Sequence, residues 1–568
     1  MIVDTLVCLL LVLGVAFGLS RPVVDRLELT PSEGLVAGVA LSLIGAWLVA
    51  WTVFTSGSPL REYGLLPVLA VSGIVLGRRG VARLAADPAA RNLAVGQLLV
   101  TAWCAAWLSF IRNHSGGAWI GDWVEHWQRT HFFLREWPAD KPFFDIYQMP
   151  ARPPLANVLT AAFLQLTRAD YAHYQLVMTA LCSLAYLPVG LLAARLGGPR
   201  AARLAAVILL VNPLFIQNAT YPWTKLPAVF FILTGLYFFL RLRDRGPGER
   251  TAAVLCALCL GGAVVTHYSA GPYVVVLAAA WVAIGRRSRW SGGFAGLTFL
   301  SAAAGACVLA PWFLWSAAHY GWNGTLLSNS SVSMMQKAPG NPLVIMILNL
   351  RDSLIPPQLR GFSGTLFAQS SRWGALRDQV FLIYQLNPLL ALGCVGWLAV
   401  VVEGIRSGRA AARPERGFWI CALAGFVILS FAAYGDRDHY GTGHICLQSV
   451  VLLGLAFLAS RWDRMGTRWK AALIAGWAVD FCMGIALQFA VEDFALDRWF
   501  DPTLTLPQIS RTYGIVSQEN LREKIIAQLS YFADILPTPP ALVLALLGAI
   551  LCMALLRARP MPGESRQP

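Results

Sequence analysis

Charge is scarce in this sequence. Only 13% of its 568 residues are Asp, Glu, Lys or Arg, about half the share of a soluble domain, whereas 57% are hydrophobic and 21 are tryptophan. With a mean hydropathy of +0.58, that shortage excludes a soluble globule. A disulfide framework is lacking too. The 11 cysteines lie in apolar runs, and the CxxC of Cys256 and Cys259 in "VLCALCL" has no second pair, so buried packing explains it better than redox or metal chemistry. Acidic residues are few, 30 against 45 basic ones, giving a net charge of +15. Because the arginines sit in short gaps between apolar runs rather than on one basic face, they point to orientation in a bilayer and to no nucleic-acid partner.

What the sequence does contain is a succession of apolar runs of spanning length, from about 3–19 to about 539–557. They predict an all-α polytopic membrane protein with about 13–15 spans. The first run has no basic region before it and a poor cleavage signal after it, so it reads as an uncleaved span. Arginines fall in alternate loops: Arg21 and Arg26, Arg78 to Arg91, Arg195 to Arg203, Arg241 to Arg250, Arg286 to Arg289, Arg406 to Arg416 and Arg461 to Lys470. By the positive-inside rule these loops are cytoplasmic, and the three long loops, about 113–173, 317–378 and 491–538, face outward. A chain that places its hydrophilic stretches there is expected to work on something the membrane presents.

The first long loop opens with "GDWVEHWQRTHFF", residues 121–133. On a helix Asp122, Glu125, His126 and Arg129 share a polar face, while Trp123 and Trp127 share another and are expected at the membrane interface. Glu125 either supports Asp122 or pairs with Arg129 as an ordinary exposed ion pair. His126 and His131 lack the spacing of a metal pair, so no metal site is expected from them. Further on, Pro153-Pro154 opens an apolar stretch too short to span, which reads as an interfacial or re-entrant helix. Its N-terminus, with Arg152 just before it, suits a phosphate, and Lys141 adds to the positive field.

In order along the chain, "GDWVEH", "ARPPLANVL", "LLAARLGGPRAARLAA", "YPWTKLPAVFFILTGLYFFLRL", "GGAVVTHYSAGPYVVV", "LAPWFLWSAAHYGWNGTL" and "DRDHYGTGHICLQSVVLLGLAF" resemble the GT-C glycosyltransferases. Within that superfamily they are similar to the protein O-mannosyltransferases, the aminoarabinose lipid A transferases and related bacterial integral membrane sugar transferases. The resemblance covers roughly residues 93–460. It divides the chain into N-terminal extra spans (1–92), a catalytic membrane core (93–460) and C-terminal spans (461–568).

The resemblance implies an enzyme that moves a sugar, with inversion, from a polyprenyl-phosphate carrier to an acceptor hydroxyl on a lipid, glycan or protein. That reaction would lie on the outer face of a bacterial plasma membrane. Asp122 stands at the early-loop acid and is the candidate base, with Glu125 as support. Arg152 stands at the basic residue near the donor phosphate. The chain departs from the pattern at Lys225, where a second acid is expected, and at His267, where relatives carry Lys. Those departures replace a candidate metal ligand with a cation, so a divalent cation is possible without being strongly implied. Arg437, His439 and Tyr440 form a second-rank patch between two spans, and Tyr147 is a further candidate. N-glycosylation-like triplets begin at Asn113, Asn218, Asn323 and Asn329. Competing classes are an O-antigen polymerase or ligase, a lipid or glycan transporter, and a non-catalytic scaffold.

Overall fold

A computed structural model describes residues 2–111, 114, 122–135, 137–143, 147–244, 248–286, 293–328, 341–354, 392–410, 413–433, 444–490 and 531–536. The helices are α1 (Ile2–Gly18), α2 (Arg21–Val24), α3 (Pro31–Thr55), α4 (Leu65–Leu76), α5 (Arg78–Ala86), α6 (Pro88–Leu108), α7 (Asp122–Phe133) and α8 (Leu155–Leu166). They continue as α9 (Tyr171–Ser183), α10 (Tyr186–Gly197), α11 (Pro199–Val211), α12 (Pro213–Thr220), α13 (Lys225–Arg243), α14 (Glu249–Thr266), α15 (Gly271–Gly285) and α16 (Phe294–Leu327). The remainder are α17 (Pro342–Leu354), α18 (Leu392–Ala410), α19 (Arg413–Ala433), α20 (His444–Arg461), α21 (Thr467–Ala490) and α22 (Phe532–Ile535). No strand occurs among the described residues, and the fold is all-α and polytopic, as expected.

Local sequence sets the starts of these helices. Thr30 and Glu33 close a capping box around Pro31 at the start of α3, and Asp87, Asp170 and Asn212 each accept a first-turn N–H of α6, α9 and α12. Among the described residues eight helices are long and apolar enough to cross a membrane, or ten if two bent pairs each count as one. In one bent pair α4, 12 residues long, turns by 69° into the arginine-bearing α5. In the other, α11 turns by 71° into α12. The run predicted at about 539–557 lies outside the described residues.

The centre of the bundle is a wall of helices that touch protein on all sides. A stretch of 18 residues in α9–α10 and another in α13 are entirely buried, whereas such a stretch of α16 is only 17% buried. Between α6 and α9 the amide of Gln97 donates to Thr101 at 2.9 Å and to Ser183 at 3.0 Å, a polar contact of the kind that joins helices where water is absent.

The N-terminal spans are bound to this wall. Glu33 accepts from Tyr237 Oη at 2.9 Å and from Arg241 Nη1 at 3.0 Å, joining the start of α3 to the end of α13. At the other end of α3, Arg135 donates to the carbonyls of Val53 and Phe54 at 2.6 and 3.2 Å. Those are carbonyls of the last turn, which a helix leaves without internal partners. Trp51 and Phe54 of α3 then pack on Phe133 of α7 and on Trp315 of α16.

Candidate active site

Helix α7 begins at Asp122, as the sequence predicts, and the side chain of Asp122 lies outside the described residues. One turn on, Glu125 is fully buried and meets two guanidinium groups. Arg129 approaches one carboxylate oxygen through Nη2 at 2.7 Å and Nε at 2.8 Å, while Arg152 Nε approaches the other at 3.2 Å. The pair of Glu125 and Arg129 is therefore not the exposed ion pair allowed for above, since their side chains are 0% and 1% exposed. Arg129 also donates to the carbonyls of Met149 at 2.7 Å and Gln148 at 3.1 Å, and its guanidinium lies 4.4 Å from the centre of the Phe143 ring. Burial lowers the pKa of Arg129, and Glu125 opposes that shift. Through this one side chain α7 grips the segment that leads to Arg152.

The stretch after Pro153-Pro154 forms α8, which is buried from Leu155 to Leu164. Leu155, Val158, Leu159, Phe163 and Leu164 are each at most 1% exposed, so the protein rather than lipid encloses them. No side chain caps its N-terminus, which leaves the positive end of the helix dipole beside Arg152. Asn157 ties α8 to α7 by donating to the carbonyl of His126 at 2.7 Å, and its Oδ1 lies 3.2 Å from His126 Nδ1.

His267 follows α14 and is 4% exposed. The backbone N–H of Ser269 donates to its Nδ1 at 3.0 Å, which places the proton of the neutral ring on Nε2. That Nε2 has no hydrogen-bond partner among the described residues. Burial holds the imidazole well below its ordinary pKa, and the charges of Arg152, Lys225 and His126 push the same way. Four separate elements thus bring His126, Arg152, Lys225 and His267 into one neighbourhood. Lys225 opens α13, is 1% exposed, and lies with Nζ over the Trp223 ring.

Not every expected residue joins them. Lys141 is partly exposed and stacks on Trp137 at 4.1 Å, and Tyr147 forms an isolated backbone bridge with Phe143. Arg437, His439 and Tyr440 lie outside the described residues. Trp123 and Trp127 do not rest on the bilayer. Trp123 is 2% exposed against His114 and Tyr221, and Trp127 packs on Tyr171 and Tyr174. Asn218, which begins a glycosylation-like triplet, is 1% exposed and accepts from Gln448 at 2.8 Å, so the folded chain does not present it for modification. Among the described residues no group of three His, Cys, Asp or Glu side chains is placed to hold a metal ion.

Sequence reasoning missed Asn157, an amide in an apolar helix, and Tyr268, which donates to the carbonyl of Pro150 at 3.3 Å. It also missed Gln175, whose Oε1 accepts the backbone N–H of Phe532 at 2.8 Å and fixes the short helix α22 beside α9.

Residues 124–320 match the family model of dolichyl-phosphate-mannose-protein mannosyltransferase. No curated protein sequence matches. Among solved structures, the fold is similar to that of ArnT from Cupriavidus metallidurans bound to undecaprenyl phosphate, at 15% identity and a TM-score of 0.47, covering 79% of this chain and 76% of that one. It is also similar to the Archaeoglobus fulgidus oligosaccharyltransferase, at 14% identity and a TM-score of 0.42, covering 84% of this chain and 61% of that one. The resemblance to GT-C glycosyltransferases read from the sequence is borne out by the family match, which spans α7 to α16 and contains Glu125, His126, Arg152, Lys225 and His267.

Proposed function

We propose that this chain transfers a sugar from a polyprenyl-phosphate-linked donor to an acceptor hydroxyl at the membrane face opposite the arginine-rich loops. The observation that carries this reading is the convergence of Arg152, Lys225 and the Nε2–H of His267 beside the uncapped start of α8. Arg152 shares Glu125 on one side, and a phosphate suits guanidinium, ammonium, imidazole N–H and helix N-terminus alike.

In the reaction the acceptor oxygen attacks the anomeric carbon from the side opposite the phosphate, with Asp122 taking the hydroxyl proton. The bond from that carbon to the phosphate oxygen breaks, and its electron pair stays on the phosphate. Arg152 and Lys225 stabilise the growing negative charge. His267 contributes as a neutral donor. Glu125, held between Arg129 and Arg152, positions Arg152 rather than reacting.

Sugar transfer by the purified protein in lipid, from a panel of radiolabelled polyprenyl-phosphate monosaccharides, tests the reading. Asp122→Asn is expected to lower the turnover by about 100-fold or more with the fold intact. Arg152→Ala is expected to weaken both donor use and turnover. Unchanged transfer in both variants would remove the proposed site, and no transfer from any donor would favour a glycan polymerase or a transporter.

A further inference from the structure

Two short turns carry groups proposed to meet the donor phosphate. One, Met149–Ala151, runs directly into Arg152, and the other, Tyr268–Ala270, directly follows His267. The backbone of Arg152 is extended, with φ −139° and ψ 139°, the conformation that a following proline imposes. Where its guanidinium lies therefore depends on how the turn before it is held.

Three successive carbonyls of that segment accept side-chain donors. Those of Gln148 and Met149 take the two terminal nitrogens of Arg129, at 3.1 and 2.7 Å. The third, of Pro150, takes the hydroxyl of Tyr268 at 3.3 Å. Arg129 shares Glu125 with Arg152, so its two bonds fix the turn on the α7 side. Tyr268 holds the same turn from the side of His267.

The hydroxyl is itself aimed. Trp312 of α16, which is fully buried, donates its indole N–H to Tyr268 Oη at 3.3 Å. An indole N–H can only donate, so this bond occupies a lone pair of the phenol oxygen and leaves the phenol proton for Pro150. Trp312 is fixed in turn by ring contacts with Trp51 of α3 and Trp315 of its own helix. A row of bonds thus runs from α16 through the turn after His267 to the turn before Arg152.

We infer that Tyr268 is a positioning residue for the donor phosphate: its hydroxyl bridges the two turns and sets the separation at which Arg152 and His267 meet one phosphate group. The inference rests on the donor-phosphate reading above. Without the hydroxyl, the carbonyl of Pro150 loses this donor and the turn keeps only the side-chain bonds from α7. A phenylalanine ring fills the same space, so the packing is retained while the guanidinium of Arg152 is less well placed.

The test uses the full chain purified in detergent, with undecaprenyl phosphate as the probe and the thermal midpoint measured in parallel. Tyr268→Phe is expected to weaken binding roughly fivefold, the effect of one hydrogen bond, with a midpoint close to that of the wild type. In an Arg152→Ala background the same change should cost no further affinity, because Tyr268 acts through Arg152. Equal weakening in both backgrounds would overturn the inference and leave the hydroxyl a merely structural group. So would undiminished binding by Tyr268→Phe where Arg152→Ala is impaired. A wild type that does not bind undecaprenyl phosphate, or an Arg152→Ala variant that binds it as well as the wild type, would overturn the donor-phosphate reading and this inference with it.

Discussion

At the scale of single residues, Glu125 shows how a charge can be carried into a dry interior. Its two oxygens are divided between Arg129 and Arg152, and Arg129 spends its remaining donors on two carbonyls. Truncating Arg129 would leave a buried carboxylate with one of its two guanidinium partners and take a charged donor from each of two carbonyls. Arg129→Ala is therefore expected to destabilise the protein by about 3–5 kcal/mol, measured as a fall in the thermal midpoint in detergent. His267 gives a pH dependence of known sign. Its native pKa is depressed, so its contribution is fully present above the unfolded value of about 6.5 and is lost as pH falls from there toward the native value. The slope contributed is at most about 1.4 kcal/mol per pH unit, and His267→Gln should remove it from stability measured between pH 7 and pH 5. The residue types at these positions could be read from the sequence. Their roles could not, because whether Glu125 faces Asp122 or two arginines depends on where the chain after Gln148 returns.

At the scale of elements, apolar runs revealed most helices, but hydropathy reports that a stretch avoids water without saying whether lipid or protein surrounds it. So α8 reads as an interfacial or re-entrant helix, and the structure encloses its first ten residues in protein, while Trp123 reads as an interface anchor though it packs on Tyr221. A break can be as informative as a helix. Within α16, Gly321 takes φ 69°, and beyond it Thr325 Oγ1 lies 2.8 Å from Ser316 Oγ. A Cβ there meets nothing within 4 Å, so Gly321→Ala carries only the backbone penalty of φ 69°, ψ 166°, a region essentially confined to glycine. That variant should lose about 1–3 kcal/mol of stability, read as a lower thermal midpoint, with Gly324 or Gly305 unsuitable as substitutes for the bend because neither has a positive φ.

At the scale of the whole molecule, the N-terminal spans are fastened to the rest at both ends of α3. A chain beginning at residue 93 would expose the partners of Glu33, Trp51 and Phe54 and leave Arg241 and Tyr237 without their carboxylate. It is expected not to accumulate in membranes, and co-expression of residues 1–92 as a separate chain should restore at least part of the yield, as quantified by fluorescence-detected chromatography. The tie between Glu33 and Arg241 has a consequence in time as well as in space. The two residues are 208 positions apart, and at about 5–20 residues per second the ribosome takes roughly 10–40 s to pass from one to the other. For that interval α3 is in the bilayer without its carboxylate's partners, held at the headgroup level where Glu33 can keep its water. The tie is then closed from a helix made midway through synthesis back onto one of the first, so a slow or stalled synthesis through α13 would leave the earliest spans waiting unpaired and open to degradation.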